Sequence, residues 1–356
     1  MEKDNTIHIK QGTTIRDYVF HQCIGSGGFA SVYIVTSVRF GTKFVAKVIL
    51  PKAADVLSAW DSFDSEVNSL VKLDHHHIIR LYDHFSESGY FFLILEFCSH
   101  GSLFEEVRDC GALKGLRLLN VTKQLISAVF QAHINKIAHR DIKPQNILFD
   151  DFGRVKLADF GISICSDIND VVQNFKCSPA FAPPEVLKRE PHDMFKADVW
   201  SLGVTLYFAA TGKLPFKFRT VPQALLEMRN IGLAITQNLV PPIIFELIKK
   251  MVVYDPNNRI TIEEAHDMIM TDFQDKINKA NSAVSKFPLL KLGPASPGPE
   301  DVIHFNSGVK NPNSFESAAI IKPNVIALKP LTFGIRVRTR QSCDLRKSTV
   351  SFPVFT

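Results

Sequence analysis

The first hundred residues carry short apolar runs typical of strands, and the residues after them carry apolar positions at helical spacing. Strands are expected at residues 18–20, 31–35, 43–49, 78–82 and 90–97. Between the third and fourth strands, the stretch 66–73 has a helical period, with Val67, Leu70, Val71 and Leu73 on its packed side. Further helices are expected at 103–107, 116–137, 199–210 and 247–253. This order predicts an α+β fold with a β-rich first part and a mainly helical second part.

The chain changes character after residue 273, where we place the end of the folded part. Prolines at positions 288, 294, 297 and 299 have glycines between them, and no sustained period follows. Residues 274–356 are therefore expected to form a largely disordered tail. From Lys286 onward ten Lys or Arg residues oppose four Asp or Glu residues, so the tail is basic in a chain of net charge +5. Acidic proteins, membrane surfaces and nucleic acids would all attract it, but a solvated segment is the simpler interpretation, and nucleic acid is disfavoured because no recognisable binding module is present.

Composition narrows the class of protein. The chain has 356 residues, of which 46% are hydrophobic and 22% charged, as in a folded protein with a sizeable core. Its six cysteines form no Cys-x-x-Cys pair, which argues against zinc ribbons and disulfide scaffolds and fits a reduced compartment. Neither a signal peptide nor an apolar run of about 18 residues is apparent. We therefore expect a cytoplasmic protein, with the nucleus as the alternative, and no membrane span.

A glycine-rich segment separates the first two long strands. Its glycines can adopt positive φ and bring backbone N–H groups close to phosphate oxygens. A plain β-hairpin turn would have a similar composition, so the segment alone is weak evidence. A strand rather than a helix follows it, which disfavours a dinucleotide-binding βαβ unit. The segment comprises Ile24, Gly25, Ser26, Gly27, Gly28, Phe29, Ala30, Ser31 and Val32.

Several charged or amide side chains stand among apolar neighbours farther along the chain. A buried ion is costly unless it is paired, so such residues indicate a highly charged ligand or partner. Three adjacent histidines at positions 75–77 are a different case: consecutive side chains do not converge on one metal ion, so a turn is expected there. The residues of interest are Lys47, Asp141, Lys143, Asn146 and Asp159.

In their order and spacing these segments resemble the motifs of eukaryotic serine/threonine protein kinases. Residues 139–146 resemble the catalytic loop and residues 159–161 the metal loop. The resemblance covers residues 18–273, with a small lobe at 18–96 and a large lobe at 99–273. It implies a bilobal protein kinase fold, in which a small antiparallel β-rich lobe with one key helix joins a larger, mainly helical lobe. The third glycine of the family's loop is replaced by Ala30.

The resemblance assigns catalytic roles to three residues. Asp141 would orient the substrate hydroxyl and accept its proton, and Lys143 would neutralise charge near the γ-phosphate. Lys47 would hold the α- and β-phosphates and pair with Glu66. Together these roles imply transfer of the γ-phosphate of ATP to Ser or Thr hydroxyls of protein substrates.

The resemblance also implies two cofactors, ATP and Mg²⁺. Asn146 and Asp159 would ligate the magnesium, a hard cation that prefers oxygen ligands. The glycine-rich segment 24–32 would cover the phosphates. Backbone groups of Glu96 and Cys98 would pair with the adenine edge, where side-chain identity matters little.

Other positions match the family's supporting residues. Ser178 corresponds to the hydroxyl that bonds the catalytic Asp and Lys in serine/threonine kinases. Asp198 would hold the backbone of the catalytic loop, and Arg259 would pair with Glu185.

Arg140 implies that an anion is needed on the activation loop. The usual phosphoacceptor position holds Asn174. Our hypothesis is that Asp167, Asp170 or an activating partner protein orders this loop in place of phosphate. A rival interpretation of the whole chain is a nucleotide-binding scaffold without turnover; the presence of Asp141, Asn146 and Asp159 argues against it.

Overall fold

The computed structural model describes residues 9–27, 30–49, 56–165, 171–172, 178–217, 220–230 and 240–284. Gly28, Phe29, Asp167, Asp170 and Asn174 lie outside these ranges, as does the expected tail beyond residue 284.

One antiparallel sheet forms the first part of the chain. Its strand order is β1-β2-β3-β4-β6-β5. Side chains alternate between its two faces: Phe92 and Ile94 pack with Phe20, whereas Leu93 and Leu95 face the main core. The strands are β1 (Thr14–Ile15), β2 (Tyr18–Ser26), β3 (Ala30–Ser37), β4 (Lys43–Ile49), β5 (Leu81–Glu87) and β6 (Tyr90–Glu96).

Helix α1 (Val56–Lys72) connects β4 to β5 and begins ten residues before the helix expected from the sequence. Phe63, Val67 and Leu70 are buried at helical spacing. Val71 was expected on this packed side and is instead 69% exposed. It follows Leu70 by one residue, a step of about 100° around the helix, which carries it off the narrow buried stripe.

The strand expected at 78–82 begins later than predicted. Ile79 donates its N–H to the carbonyl of Leu157 at 2.9 Å, and the N–H of Leu157 bonds the carbonyl of His77 at 2.8 Å. Ile78 and Ile79 are therefore apolar because they are buried against the second part of the chain. Pairing within the sheet starts only at Leu81.

The second part is mainly helical. Met194–Thr211 (α5) is apolar on nearly every side because most of its residues are buried, as expected for a central helix. Ser102 begins Leu103–Cys110 (α2) with a capping box that includes Glu105. The other helices are α3 (Gly115–Ile134), α4 (Pro184–Leu187), α6 (Val221–Asn230), α7 (Pro242–Met251) and α8 (Ile262–Val284).

Three pairs of short strands position the loops between these helices. β7 (Ile137–Ala138) pairs with β10 (Ile164–Cys165), and β8 (Ile147–Phe149) pairs with β9 (Val155–Leu157). The residues between β7 and β8 and those between β9 and β10 are thereby brought side by side. A third pair joins β11 (Val171–Val172) and β12 (His192–Asp193).

The bilobal α+β fold predicted from the sequence is confirmed, with one change near its end. Helix α8 continues through Phe273 to Val284, so residues 274–284 are helical where disorder was expected. Within the described ranges, no helix is both long and apolar enough to cross a membrane.

Candidate active site

The loop 139–146, between β7 and β8, is held by Asp198 of α5. The buried carboxylate of Asp198 accepts the N–H groups of His139 and Arg140, each at 2.7 Å. Its Oδ2 also lies 3.0 Å from Nε2 of His133. Arg140 has φ 69°, a left-handed conformation that is unfavourable for a residue with a side chain. Asp198 therefore stabilises a strained loop, and the sequence had predicted that Asp198 holds the backbone of this loop.

Three donors fix the carboxylate of Asp141. Ser178 Oγ donates to Asp141 Oδ1 at 2.7 Å, and Lys143 Nζ donates to Oδ2 at 2.6 Å. Asn146 Nδ2 lies 3.2 Å from the same Oδ2 and 2.9 Å from the backbone carbonyl of Asp141. Lys143 also donates to Ser178 Oγ at 3.0 Å. The contacts expected between Ser178, Asp141 and Lys143 are thus present.

Lys47 of β4 joins two carboxylates, one on α1 and one in the segment 159–161. Its Nζ lies 2.7 Å from Glu66 Oε2 and 2.7 Å from Asp159 Oδ1. Burial by itself would lower the pKa of Lys47, but the two carboxylates outweigh it and raise that pKa above its ordinary value. Burial raises the pKa of Glu66, and Lys47 opposes that rise. The ammonium of Lys47 lowers the pKa of Asp159 to about 2, so this carboxylate is ionised at neutral pH.

In the segment 159–161, the Asp159 side chain pairs with Lys47 and is partly exposed, whereas Phe160 is buried. Asp159 has φ 68°, again in the left-handed region, and the Phe160 side chain is fully buried. A Cβ on Gly161 would lie 3.1 Å from Ser62 Oγ and 3.3 Å from Glu66 Oε2. Glycine at this position therefore permits the close approach of helix α1.

The described residues of the glycine-rich segment, 24–27 and 30–32, lie at the end of the hairpin formed by β2 and β3. Gly25 pairs with Val32, Ser26 pairs with Ser31, and Gly27 N–H bonds the carbonyl of Ala30 at 2.9 Å. The sequence left two interpretations of this segment open, a plain β-hairpin turn and a loop that covers phosphates. A hairpin of this geometry is compatible with both. A cleft of about 860 Å³ lies between this hairpin and the loops of the large lobe. It is lined by Ile24, Gly25, Ser26, Gly27, Ala30, Val32, Lys143, Gln145, Asn146, Ser178, Pro179, Ala180 and Phe181.

The connection between the lobes starts at Glu96, the last residue of β6. The N–H of Glu96 donates to the carbonyl of Arg80 at 2.9 Å, and its Oε1 lies 2.8 Å from Lys156 Nζ. This ion pair ties the connection to β9. Burial, followed by the nearby Glu96 carboxylate, raises the pKa of the Cys98 thiol to about 12, so the thiol is neutral.

Two of the three histidines contact different residues of the large lobe. His75 Nε2 lies 3.2 Å from Ser127 Oγ, and His77 Nδ1 lies 3.2 Å from the carbonyl of Val155. Burial, with the neighbouring imidazoles, lowers the pKa of His75 to about 4. Among the residues that the structure describes, no group of three or more His, Cys, Asp or Glu side chains has the arrangement of a metal site.

Two features of the site were missed by sequence reasoning. Lys156 was not identified as a partner of Glu96, and Ser62 was not identified as a contact of the metal loop, although its Oγ donates to the carbonyl of Gly161 at 2.7 Å. A signal for the second was present: serines are unfavourable inside helices, yet three of them, at positions 62, 65 and 69, share a face of α1 with Glu66.

A buried ion pair stabilises the large lobe below the site. Arg259 Nη1 lies 2.7 Å from Glu185 Oε1, and Nη2 lies 3.2 Å from Oε2. The guanidinium also lies over the ring of Trp200, with 5.1 Å from Cζ to the ring centre. The pairing of Arg259 with Glu185 was expected from the sequence and is confirmed.

Comparison with known families agrees with this geometry. The protein kinase domain matches residues 18–269. A β-rich lobe, a helical lobe and a cleft that carries paired acids and lysines define the same class of protein. The chain belongs to the protein kinase family.

The curated relatives include kinases from fungi and plants. The chain is 31% identical to the carbon catabolite-derepressing protein kinase of Candida glabrata over 78% of its own length and 44% of that protein's. It is 30% identical to the serine/threonine protein kinase OSK3 of Oryza sativa subsp. indica, over 71% and 50% of the two lengths. For the carbon catabolite-derepressing protein kinase of Saccharomyces cerevisiae the identity is 29%, over 92% and 49%. The chain spans about half the length of these relatives.

Proposed function

We propose that this protein transfers the γ-phosphate of ATP to Ser or Thr hydroxyls of protein substrates in a Mg²⁺-dependent reaction. One observation carries the proposal: the carboxylate of Asp141, fixed by three donors, lies in the loop that borders the cleft containing Lys143 and Asn146. Phosphoryl transfer demands little covalent chemistry from a protein and much accurate placement of charge. The names of the relatives, serine/threonine protein kinases among them, support the same reaction.

Asp141 and Lys143 are proposed to act on the acceptor and the transferred group. Asp141 accepts the hydroxyl proton as the acceptor oxygen attacks, because its oxygens are already directed by Ser178, Lys143 and Asn146. Lys143 neutralises charge on the group in transfer. Ser178 bonds both residues, which supports a Ser or Thr acceptor by resemblance to that class of kinase.

The donors available to a metal ion fit magnesium. Asp159 offers an ionised carboxylate whose side chain is 45% exposed, and Asn146 uses its amide nitrogen on Asp141, which leaves its amide oxygen for a cation. When bound, Mg²⁺ would supply positive charge between the phosphate groups. Asp159 and Asn146 are the residues proposed to hold it.

Nucleotide binding is assigned to the hairpin, the lysine and the connection between lobes. Lys47, kept protonated by Glu66 and Asp159, is proposed to hold the α- and β-phosphates. The N–H of Glu96 is already bonded to Arg80, so an adenine contact at this residue would use its carbonyl oxygen. Cys98 would contribute backbone groups, and the segment 24–32 would cover the phosphates.

A mutation of the proposed base gives the direct test. Asp141→Asn keeps the size of the side chain but removes its ability to accept a proton, so kcat is expected to fall by about 10³-fold while ATP binding is retained. The measurement is transfer of labelled γ-phosphate to protein and peptide substrates, with ATP affinity measured by calorimetry.

Asp267→Asn serves as the matched control, because that carboxylate is 86% exposed and lies on α8, outside the site. The control should keep the wild-type rate. Tight ATP binding without any transfer by the wild-type protein would instead favour the nucleotide-binding scaffold.

Activation without a loop phosphate is also proposed. Asn174 at the usual phosphoacceptor position supports the idea that Asp167, Asp170 or an activating protein partner orders the loop. Phosphatase treatment of the purified active protein should leave its activity intact. Complete loss of activity, traced by mass spectrometry to a phosphate on this loop, would refute the proposal.

A cytoplasmic or nuclear location is proposed from the scattered cysteines, which suit a reducing compartment. Fluorescence microscopy of the tagged full chain in cells tests it, and a secreted or organellar signal would overturn it.

A further inference from the structure

Helix α1 presents a row of serines to the segment that follows Asp159. Ser62, Ser65 and Ser69 recur at spacings of three and four, so they lie on one face of the helix, and Glu66 lies on the same face. Serine is a weaker helix former than alanine, and its hydroxyl often bonds the backbone of its own helix. In this helix the hydroxyls bond residues almost a hundred positions away.

The contacts form a continuous set of hydrogen bonds. Ser62 Oγ donates to the carbonyl of Gly161 at 2.7 Å, and Ser65 Oγ donates to the carbonyl of Ser163 at 2.6 Å. Ser69 Oγ lies 2.7 Å from Ser163 Oγ. Ser163 Oγ in turn donates to the carbonyl of Phe160 at 2.7 Å.

The direction of the third bond follows from counting protons. A hydroxyl has one proton, and the proton of Ser163 is used on the carbonyl of Phe160. Ser69 must therefore donate to Ser163 Oγ. Ser69 and Ser163 are 3% exposed each, so their hydroxyls depend on these protein partners rather than on water.

The neighbouring contacts make this row of bonds relevant to the site. Gly161 permits the approach of Ser62, since a Cβ there would lie 3.1 Å from Ser62 Oγ. Glu66, one residue after Ser65, bonds Lys47, and Lys47 bonds Asp159. Helix α1 therefore contacts the metal loop and the residues after it in two ways. One is indirect, through Glu66 and Lys47, and the other is direct, through the serines.

We propose that Ser62, Ser65 and Ser69 are positioning residues that hold α1 against the segment 160–163. In doing so they keep Glu66 within reach of Lys47 and keep Asp159 beside Lys47. This inference rests on the proposed phosphoryl transfer. The serines are proposed to act through Glu66 and the segment 159–161.

The test combines a triple variant, Ser62→Ala, Ser65→Ala and Ser69→Ala, with kinetics and amide hydrogen exchange on the full chain. Alanine favours the helix, so any loss cannot come from a weaker intrinsic helix tendency. We expect kcat to fall at least about tenfold, with KM for the peptide changed less than about twofold. Amides of residues 159–165 and of α1 should exchange faster, and those of α5 should not.

Two further proteins complete the design. Asn68→Ala removes a hydrogen bond to Asp64 from the exposed face of the same helix and should change neither kcat nor exchange. Ser62→Thr with Ser65→Thr, made in the Ser69→Ala protein, differs from the triple variant only at positions 62 and 65 and should restore much of the lost kcat. This rescue separates a hydrogen-bonding role from a packing role.

The outcomes distinguish this inference from the proposed function. A wild-type protein that transfers no phosphate defeats the proposed function, while the exchange data still decide whether the serines hold α1 to the metal loop. Unchanged kcat and unchanged exchange in the triple variant would overturn the positioning role. So would equal acceleration of exchange in every helix, α5 included, without rescue by threonine.

Discussion

At the scale of single residues, the positive charge of Lys47 lowers the pKa of Asp159. The two carboxylates that contact Lys47 differ in their surroundings, since Glu66 is fully buried and the Asp159 side chain is 45% exposed. Burial raises the pKa of Glu66, whereas attraction to Lys47 lowers that of Asp159. The two carboxylates that contact Lys47 therefore titrate differently, and Asp159, the more exposed of the two, stays ionised at neutral pH.

Removing the lysine should move the titration of Asp159. In Lys47→Met the pKa of Asp159 is expected to rise from about 2 toward its ordinary 3.8, because the main cause of its depression is gone. Carboxyl carbon NMR across a pH series measures the shift. Lys47→Arg, which keeps the charge, is the control, and a pKa that stays near 2 in the methionine variant would contradict the assignment.

The lowered pKa of Asp159 also makes the folding stability of the protein depend on pH. Because the folded-state pKa of Asp159 is below the unfolded one, this residue favours folding above about pH 4, and that contribution disappears as the pH falls toward 2. The wild-type protein should lose this contribution over that window, and the methionine variant should show less of the loss.

Single-residue chemistry was also the part that the sequence predicted well. Lys47, Glu66, Asp198 and Arg259 were each expected to have an oppositely charged or polar partner, and each has it. A buried charge almost requires a partner, which makes such pairings predictable. The serines of α1 were missed because a neutral hydroxyl carries no comparable penalty and is common on helix surfaces.

At the scale of elements, α5 packs closely against the end of α7 at Gly203. A Cβ on Gly203 would lie 2.7 Å from Cβ of Met251 and 2.7 Å from Cγ2 of Val252. In the sequence, Gly203 only interrupts the apolar run over residues 199–210. Its function in the fold is to let two helices approach closely, which one chain segment alone does not reveal.

Substitution of this glycine should therefore destabilise the protein. For Gly203→Ala, overpacking costs about 1–3 kcal/mol, and two contacts at 2.7 Å favour the upper part of that range. Such a cost exceeds the roughly 1 kcal/mol that alanine gains inside a helix. Urea unfolding should show a lower free energy of unfolding. Adding Val252→Ala removes one of the two clashing groups and should recover part of the loss; a more stable Gly203→Ala protein would contradict the packing argument.

Element boundaries were predicted less accurately than element types. The helix that carries Glu66 begins at Val56, ten residues before the apolar period at 66–73 from which it was predicted. Helix α8 continues past Phe273, where the fold was expected to end. Several side chains on these extensions are exposed, for example Trp60 and Ile277, so the pattern there lacks a clear apolar stripe. At Ile78 and Ile79 a strand was predicted too early. These residues are apolar because they are buried against β9, and an apolar run of this kind resembles a strand of the sheet.

At the scale of the whole molecule, the described core belongs to the two lobes. Its hydrophobic clusters, with the partly buried residues packed on them, extend from Ile9 to Phe273. Expected boundaries at residues 18 and 273 remain a prediction, and the family match over 18–269 is close to them.

A chain shortened at its C-terminal end tests whether the residues after Leu289 contribute to folding stability. Ending the chain at Leu289 should change Tm by less than about 2 °C, because no described cluster would lose a member. Differential scanning calorimetry of the two chains at equal concentration gives the answer. A decrease of more than about 4 °C would mean that residues 290–356 contribute to folding stability.

The neutral thiol of Cys98 bears on the design of inhibitors for this cleft. With a pKa of about 12, the thiol is almost entirely protonated at pH 7. Since the thiolate is the nucleophile, an acrylamide directed at this sulfur would react slowly even when well placed. Compounds that bind reversibly are therefore a better starting point for chemical probes of this site than compounds that must alkylate Cys98.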